Sequence, residues 1–343
     1  NVGGRYSALT AFGLVPSGLA GAPIAELLDD AAAAAATLAG DYGNPAFALG
    51  AALGGYGTEG HDKVVIADSG SGIVGFGDWA EQLIAESTGK SGRGLLPVVV
   101  GSVESPGFEA TGDTHLVVVG STPPLSGTSV EGPLGGQFLA WEFATAVAGR
   151  ILAIDPFNQP NVQESKDNTK AVLEAAKDGP LPTGDPLIVD GPIEVHANAE
   201  LVGEAADVAA VIRTLLASVP STGYLAVMAY LDRLTDVAAA DIRDVLARRM
   251  PHPVTFGWGP RFLHSTGQFH KGGPAVGVFL QITGEVASDV EIPGQTFSFG
   301  RLQMAQALGD LQALQGRARP VVRLHLKDRT EGIDALLAAA RAE

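Results

Sequence analysis

Glu86 is the residue in this chain whose setting most suggests chemistry. It stands near the end of FGDWAEQLIAESTGK, residues 76–90, with Trp79, Leu83 and Ile84 forming an apolar stripe upstream. That spacing predicts an amphipathic helix with Glu86 at its C-terminal end, where the helix dipole opposes ionisation and favours a proton-accepting base. Ser87, Thr88, Gly89 and Lys90 follow directly and offer hydroxyl and ammonium donors to an oxyanion. A solvated glutamate at a helix end is the bland alternative.

Two further segments carry candidate groups. In DPFNQPNVQESK, residues 155–166, Gln159 lies in a turn and Pro160 precedes a helix bearing Lys166. Asn161 and Glu164 have the spacing of a capping box. A strand over 152–154 would place this segment at a strand's carboxyl end, where open parallel sheets bind ligands. A capped surface helix with a solvated lysine is the competing reading. In GGRYS, residues 3–7, the paired glycines let backbone approach a ligand, and the Arg5 guanidinium suits a planar oxyanion.

Several chemistries lack their signatures. None of the seven histidines pairs with another at i, i+4, there is no H-E-x-x-H, and cysteine is absent, so no metal site is expected. There is no G-x-S-x-G for a serine hydrolase. The stretch EGPLGGQ, residues 131–137, resembles a helix N-terminus but not a dinucleotide fingerprint, and STPPLSGTS at 121–129 could line the same opening. His264 and His270 share the string at 257–276 with Arg261 and Lys271; it reads as a long polar loop that covers a phosphosugar or meets another subunit.

The elements that must position these groups alternate between strand and helix. Apolar runs at 63–67, 96–100, 116–119, 152–154, 224–230, 254–256, 277–282 and 321–326 read as strands. Helices are expected at 7–14, 23–38, 45–53, 76–86, 133–148, 162–176, 205–216, 236–249, 299–315 and 332–340. This is an α/β pattern with parallel sheet covered on both faces. The Pro/Gly/Asp-rich stretch at 179–192 marks a subdomain boundary.

Composition narrows the partners. The 343 residues allow one large or two ordinary domains, and the net charge of -16 disfavours nucleic acid and anionic membranes. An anionic substrate must therefore be caught by local donors. No apolar run is long enough to span a bilayer. Absence of cysteine fits a reducing compartment, and a cytoplasmic location is the expectation.

Taken together, GGRYS, EQLIAESTGK at 81–90 and DPFNQPNVQESK resemble phosphoglucose isomerase in order and spacing. The C-terminal strings FLHSTGQFHKGG, GVFLQITG and IPGQTFSFGRLQMAQALGDLQAL resemble the isomerase portion of bacterial bifunctional transaldolase/phosphoglucose isomerases. The resemblance implies an α/β fold of the sugar-isomerase (SIS) type, a three-layer αβα sandwich, plus a second α/β C-terminal subdomain. It divides the chain into a helical remnant of a preceding sugar-isomerase domain (1–54), a second such domain (55–184) and the C-terminal subdomain (185–343). It implies interconversion of glucose 6-phosphate and fructose 6-phosphate through a cis-enediolate, without a cofactor. Glu86 matches the general base and Arg5 the arginine that stabilises the enediolate. Lys166 assists ring opening, while Gln159, Ser87, Thr88, Lys90 and Gln137 bind substrate. The family's ring-opening histidine falls at Phe138, so His264 or His270 would have to replace it, or Lys166 and water would serve. The resemblance also implies an upstream sugar-isomerase domain, an attached transaldolase and a homodimer. A non-catalytic phosphosugar-binding or scaffolding domain is the alternative.

Overall fold

The computed structural model describes residues 3–121, 127–177 and 179–342. The chain divides into two compact units, one of residues 1–159 with 272–274 and one of 160–271 with 275–343.

In the first unit, α1 (Ala11–Leu19), α2 (Ile24–Leu38) and α3 (Pro45–Thr58) precede β1 (Lys63–Ser69), α4 (Phe76–Thr88), β2 (Leu96–Val100), β3 (Thr114–Gly120), β4 (Thr128–Val130) and α5 (Leu134–Ile151). The strands form one parallel sheet in the order β2-β1-β3-β4, with Val65 opposite both Val98 and Leu116. β1 and β3 are continuous apolar runs because helices shield parallel strands from water. Val64, Ile66 and Val117 pack with Leu53 of α3, Leu83 of α4 and Trp141 of α5. Asn44 caps α3 through Oδ1, which accepts from the amides of Ala46 and Phe47, and Pro45 supplies the first helical residue.

α2 and α5 approach closely at Gly135, where an added Cβ would sit 2.0 Å from the Leu27 carbonyl oxygen. Gly135→Ala is therefore expected to lower thermal stability by about 1–3 kcal/mol, overpacking outweighing a helix-propensity gain of up to about 1 kcal/mol. A melting temperature equal to wild type would contradict this close approach.

The second unit contains α6 (Pro160–Ala176), β5 (Ile188–Asp190), β6 (Ile193–Ala197), α7 (Ala199–Val202), α8 (Val208–Ala217), β7 (Tyr224–Tyr230), α9 (Ile242–Ala247), β8 (Val254–Trp258), α10 (Thr266–Gly272), β9 (Gly277–Gly284), α11 (Phe299–Gln315), β10 (Val321–Leu326) and α12 (Arg329–Arg341). Its sheet runs β5-β6-β10-β9-β7-β8. β8, β7, β9 and β10 are parallel, while β6 is antiparallel to β10 and β5 to β6. The α/β class expected from the sequence, a parallel sheet plus a second α/β part, is the class observed.

Four local expectations are corrected. No strand forms at 152–154; α5 runs to Ile151, the Leu152 amide still bonds to Ala148, and Ala153 turns the chain at φ +56°. A three-residue apolar run cannot distinguish a strand from a helix end. The 257–276 string is not a long loop: β8 reaches Trp258, a 3₁₀ turn spans Arg261–His264, and α10 follows. Buried Phe262 and Phe269 anchor it, and Lys271 pairs with Asp310 at 2.8 Å. The helix expected at 236–249 is a 3₁₀ turn over Val237–Asp241 followed by α9. The stretch 179–192, read as a boundary, ends in the β5–β6 hairpin, its polar turn hiding the short edge strand β5 and its neighbour β6.

Candidate active site

α4 carries Glu86 away from the carboxyl edge of the sheet. It follows β1 and runs back against the strands, so Glu86 stands about 15 Å along the helix from Phe76. A cleft at the carboxyl ends of β1 and β2, lined by Asp68, Gly72, Gly75 and Gly101, lies at the other end of α4. The Glu86 cluster is thus built at the amino edge, where Lys90 bonds to Arg93 just before β2.

Arg5 organises that cluster. Its Nη1 donates to Ser87 Oγ at 2.8 Å and to the Pro156 carbonyl at 2.7 Å. Its Nη2 donates to the Phe157 carbonyl and to Gln159 Oε1, both at 2.9 Å, with the Asn158 carbonyl at 3.4 Å. Arg5 Nε has no hydrogen-bond partner among the described residues and lies 3.8 Å from Glu86 Oε2. Tyr6 stacks its ring under the guanidinium at 5.7 Å and donates to Ser87 Oγ at 3.1 Å.

Glu86 is only 4% exposed, yet its surroundings are polar. Gln82, one turn earlier on α4, donates to Oε2 at 3.3 Å. Burial raises the Glu86 pKa above the ordinary carboxylate value, against the opposing pull of Arg5, Gln82 and Lys90. The sequence reading expects that direction from the helix dipole; desolvation is the larger cause.

Other expected site residues are engaged within the fold. Thr88 Oγ1 donates to the carbonyls of Ile84 and Leu95 and accepts from the Leu95 amide, stitching α4 to the segment before β2. Lys90 donates to the Asp155 carbonyl at 2.7 Å, to the Asn158 side chain at 2.9 Å and to the Asn158 carbonyl. Burial, then Arg5, lowers its pKa to about 8. Gln137 is buried, accepts from Trp141 Nε1 at 2.9 Å and donates to the Val130 carbonyl at 3.4 Å. Phe138 packs against Trp79 at 4.6 Å between ring centres, part of the aromatic core.

The segment 155–159 is a turn after α5, not the outlet of a strand, and its carbonyls receive both Arg5 and Lys90. α6 begins at Pro160, so Asn161 lies inside its first turn, and Glu164 binds Arg317 at 2.5 Å. The side chain of Asn161 and residues 122–126 of the Ser/Thr stretch lie outside the described residues.

Lys166 and His264 belong to the second unit and line one cleft there with Leu263 and Phe297. Burial, then Lys166 and Lys271, lowers the His264 pKa. His270 is a core histidine: it is 2% exposed, its Nδ1 meets Tyr224 Oη at 2.9 Å, and burial pushes its pKa well below the usual value.

Sequence reasoning overlooked Tyr6, Gln82, Asn158 and Glu142. Gln82 was legible as the i−4 neighbour of Glu86; the contacts of Asn158 depend on tertiary structure. Glu142 on α5 has its Oε1 buried without a partner among the described residues, and burial raises its pKa to about 7. That value lies above the ordinary 4.5, so the protonated group supports the fold below about pH 4.5 and the support is lost as pH rises through about 7. Glu142→Gln is expected to match wild type in thermal melts at pH 4 and to exceed it by about 1–2 kcal/mol at pH 8, after discounting for partial exposure. Equal pH dependence in the two proteins would contradict the assignment.

Comparison with known proteins identifies the relatives of this chain. A glucose-6-phosphate isomerase of Symbiobacterium thermophilum is 28% identical over 50% of this chain and 51% of its own. One from Streptococcus pyogenes is 26% identical over 50% and 51%. A probable glucose-6-phosphate isomerase of Haloquadratum walsbyi is 41% identical over 28% of this chain and 23% of its own. These three relatives are named as glucose-6-phosphate isomerases, the third as a probable one. The chain spans about half the length, or less, of the glucose-6-phosphate isomerases it matches. No protein-family profile matches it. Among solved structures, a hypothetical protein of Thermus thermophilus is similar over 98% of this chain and 92% of that one, with 15% identity and a TM-score of 0.35. A glucose-6-phosphate isomerase of Chlamydia trachomatis is similar over 87% and 67%, with 13% identity and a TM-score of 0.31. Among the described residues, no helix is long and apolar enough to cross a membrane, and no group of three or more acidic or histidine side chains is arranged to hold a metal ion.

Proposed function

We propose that the Glu86–Arg5 cluster supplies the base of an aldose–ketose isomerase acting on glucose 6-phosphate and fructose 6-phosphate. The observation that carries this reading is the buried Glu86 carboxylate beside the unpartnered Nε of Arg5. Isomerisation needs one proton removed from C2 of the open-chain aldose and returned to C1. One desolvated carboxylate serves both steps, first as base and then as acid. Negative charge that develops on the enediolate oxygens would find a donor in Arg5 Nε. The names of the curated relatives support the same reaction.

In this reading Gln159 and Ser87 hold Arg5 in place, and Thr88 and Lys90 stabilise the walls around Glu86, while Gln137 bonds to the end of β4 on the opposite edge of the sheet. The ring-opening role of Lys166 rests on the sequence resemblance; in the second unit it shares a cleft with His264. The upstream sugar-isomerase domain, the attached transaldolase, the homodimer and the cytoplasmic location belong to the same proposal and rest on sequence resemblance. The three-part division at residues 54 and 184 does as well.

A non-catalytic phosphosugar-binding domain is the second reading, motivated by Phe138 in the aromatic core where the family pattern has histidine. Incubation of the protein with glucose 6-phosphate in deuterium oxide separates the two. Isomerisation is expected to place deuterium at C2 and to generate fructose 6-phosphate, both visible by NMR. Saturable binding with neither signal would favour the non-catalytic reading.

A further inference from the structure

The second sheet has two unlike faces. Val195, Leu324, Ile282 and Ala229 point into an apolar core that includes residues of α8, α9 and α12. On the opposite face, strict alternation brings polar side chains together at neighbouring positions of β6, β10, β9 and β7. Arg323 pairs in register with His196 on one side and Gln281 on the other; His325 pairs with Glu194 and Thr283, and Thr283 with Tyr230. Four adjacent strands thus carry polar or ionisable groups where a sheet covered by helix would ordinarily carry apolar ones.

These side chains floor an open cleft that is distinct from the Glu86 cluster and from the cleft containing Lys166. Several of its deepest groups have atoms without partners among the described residues. Arg323 is 1% exposed; its Nη2 donates to the Thr183 carbonyl at 2.6 Å and its Nη1 lies 3.5 Å from Thr283 Oγ1, while Nε is unpaired. The Tyr230 hydroxyl is unpaired on a residue 2% exposed, and His196 has Nδ1 unpaired with Nε2 standing 3.7 Å from Glu194 Oε2. Buried donors left unpaired cost about 1–3 kcal/mol each, a cost that a ligand oxyanion would offset.

The charges are graded with depth. Arg323 and Tyr230 lie at the floor, whereas Glu285, its side chain 69% exposed, and Glu194, at 27%, stand nearer solvent. Asp289 at the rim holds the loop before α11 through Ser298 and the Gly300 amide. Two arginines, Arg301 and Arg323, line the cleft against three carboxylates, Glu194, Glu285 and Asp289. His196, its pKa lowered to about 4 chiefly by burial, is neutral at pH 7. The excess acid opposes a doubly charged phosphate about twice as strongly as a single negative head, which Arg323 alone can neutralise.

We infer that this cleft binds a small organic monocarboxylate, its head on Arg323, Tyr230 and His196 and its hydroxyl- or amino-bearing remainder facing Glu194 and Glu285. No bond is made or broken; the assignment is of a binding site.

Titration calorimetry of the whole chain with D-gluconate, L-serine and inorganic phosphate tests it. Saturable binding of gluconate or serine is expected, the two carboxylates distinguishing a hydroxyl-bearing from an amino-bearing remainder, with phosphate weaker than the better of them. Arg323→Gln should weaken that binding by about tenfold or more, and Tyr230→Phe by about three- to tenfold. Tyr230→Phe removes only a hydroxyl that bonds to nothing described, so it keeps the test valid if Arg323→Gln fails to fold. The assignment is overturned if neither carboxylate saturates up to tens of millimolar, if phosphate binds more tightly than both, or if Tyr230→Phe binds as wild type does.

Discussion

Glu86→Gln is expected to reduce C2 proton exchange of glucose 6-phosphate by about 10²–10⁴-fold, the usual worth of a positioned general base. The amide cannot accept the C2 proton, but it keeps the shape of the side chain and its contact with Gln82. Folding and sugar-phosphate binding should therefore survive, and the loss should appear in kcat and not in KM. The pH profile gives a second readout. Because burial raises the Glu86 pKa, the acid limb of kcat/KM in the wild-type protein should lie above the ordinary carboxylate range. Exchange at the wild-type rate in the variant would remove Glu86 from the role of base.

Arg5→Ala should have the largest effect on stability, roughly 3–5 kcal/mol, read from thermal or denaturant unfolding. The substitution leaves Ser87 Oγ, Gln159 Oε1 and the carbonyls of Pro156 and Phe157 without the guanidinium, and Glu86 without its opposite charge. Arg5→Lys restores the charge but not the fork that reaches several acceptors at once, so it should recover only part of the loss. Since Arg5 holds the Glu86 pKa down, both variants that still turn over substrate should shift the acid limb upward, Ala more than Lys. Unchanged stability in Arg5→Ala would mean that the turn at 155–159 is held by Lys90 alone.

Particular elements show what was readable beforehand. β1 and β7 announced themselves as short, continuous apolar runs between turn residues, because a parallel strand is buried on both faces. α4 was readable from the spacing of Trp79, Leu83 and Ile84, which turns one face of a helix inward. The 152–154 run was misread because three apolar residues satisfy a helix end as well as a strand. The helix α10 was hidden because most of its residues are polar, and only buried packing around Phe269 and the Lys271–Asp310 pair makes it stable.

From residue order alone came the α/β class, the helix that carries Glu86, and the chemical types of the candidate groups. These are local properties, written in hydrophobic period and side-chain identity. Tertiary structure alone decided that Arg5 and Lys90 converge on one turn, and that Thr88 and Gln137 are occupied inside the fold. It also put His270 in the core and Glu86 at the amino edge of its sheet. Those outcomes join residues separated by as many as 154 positions. Such pairings depend on chain path and desolvation, which have no period in the sequence to reveal them.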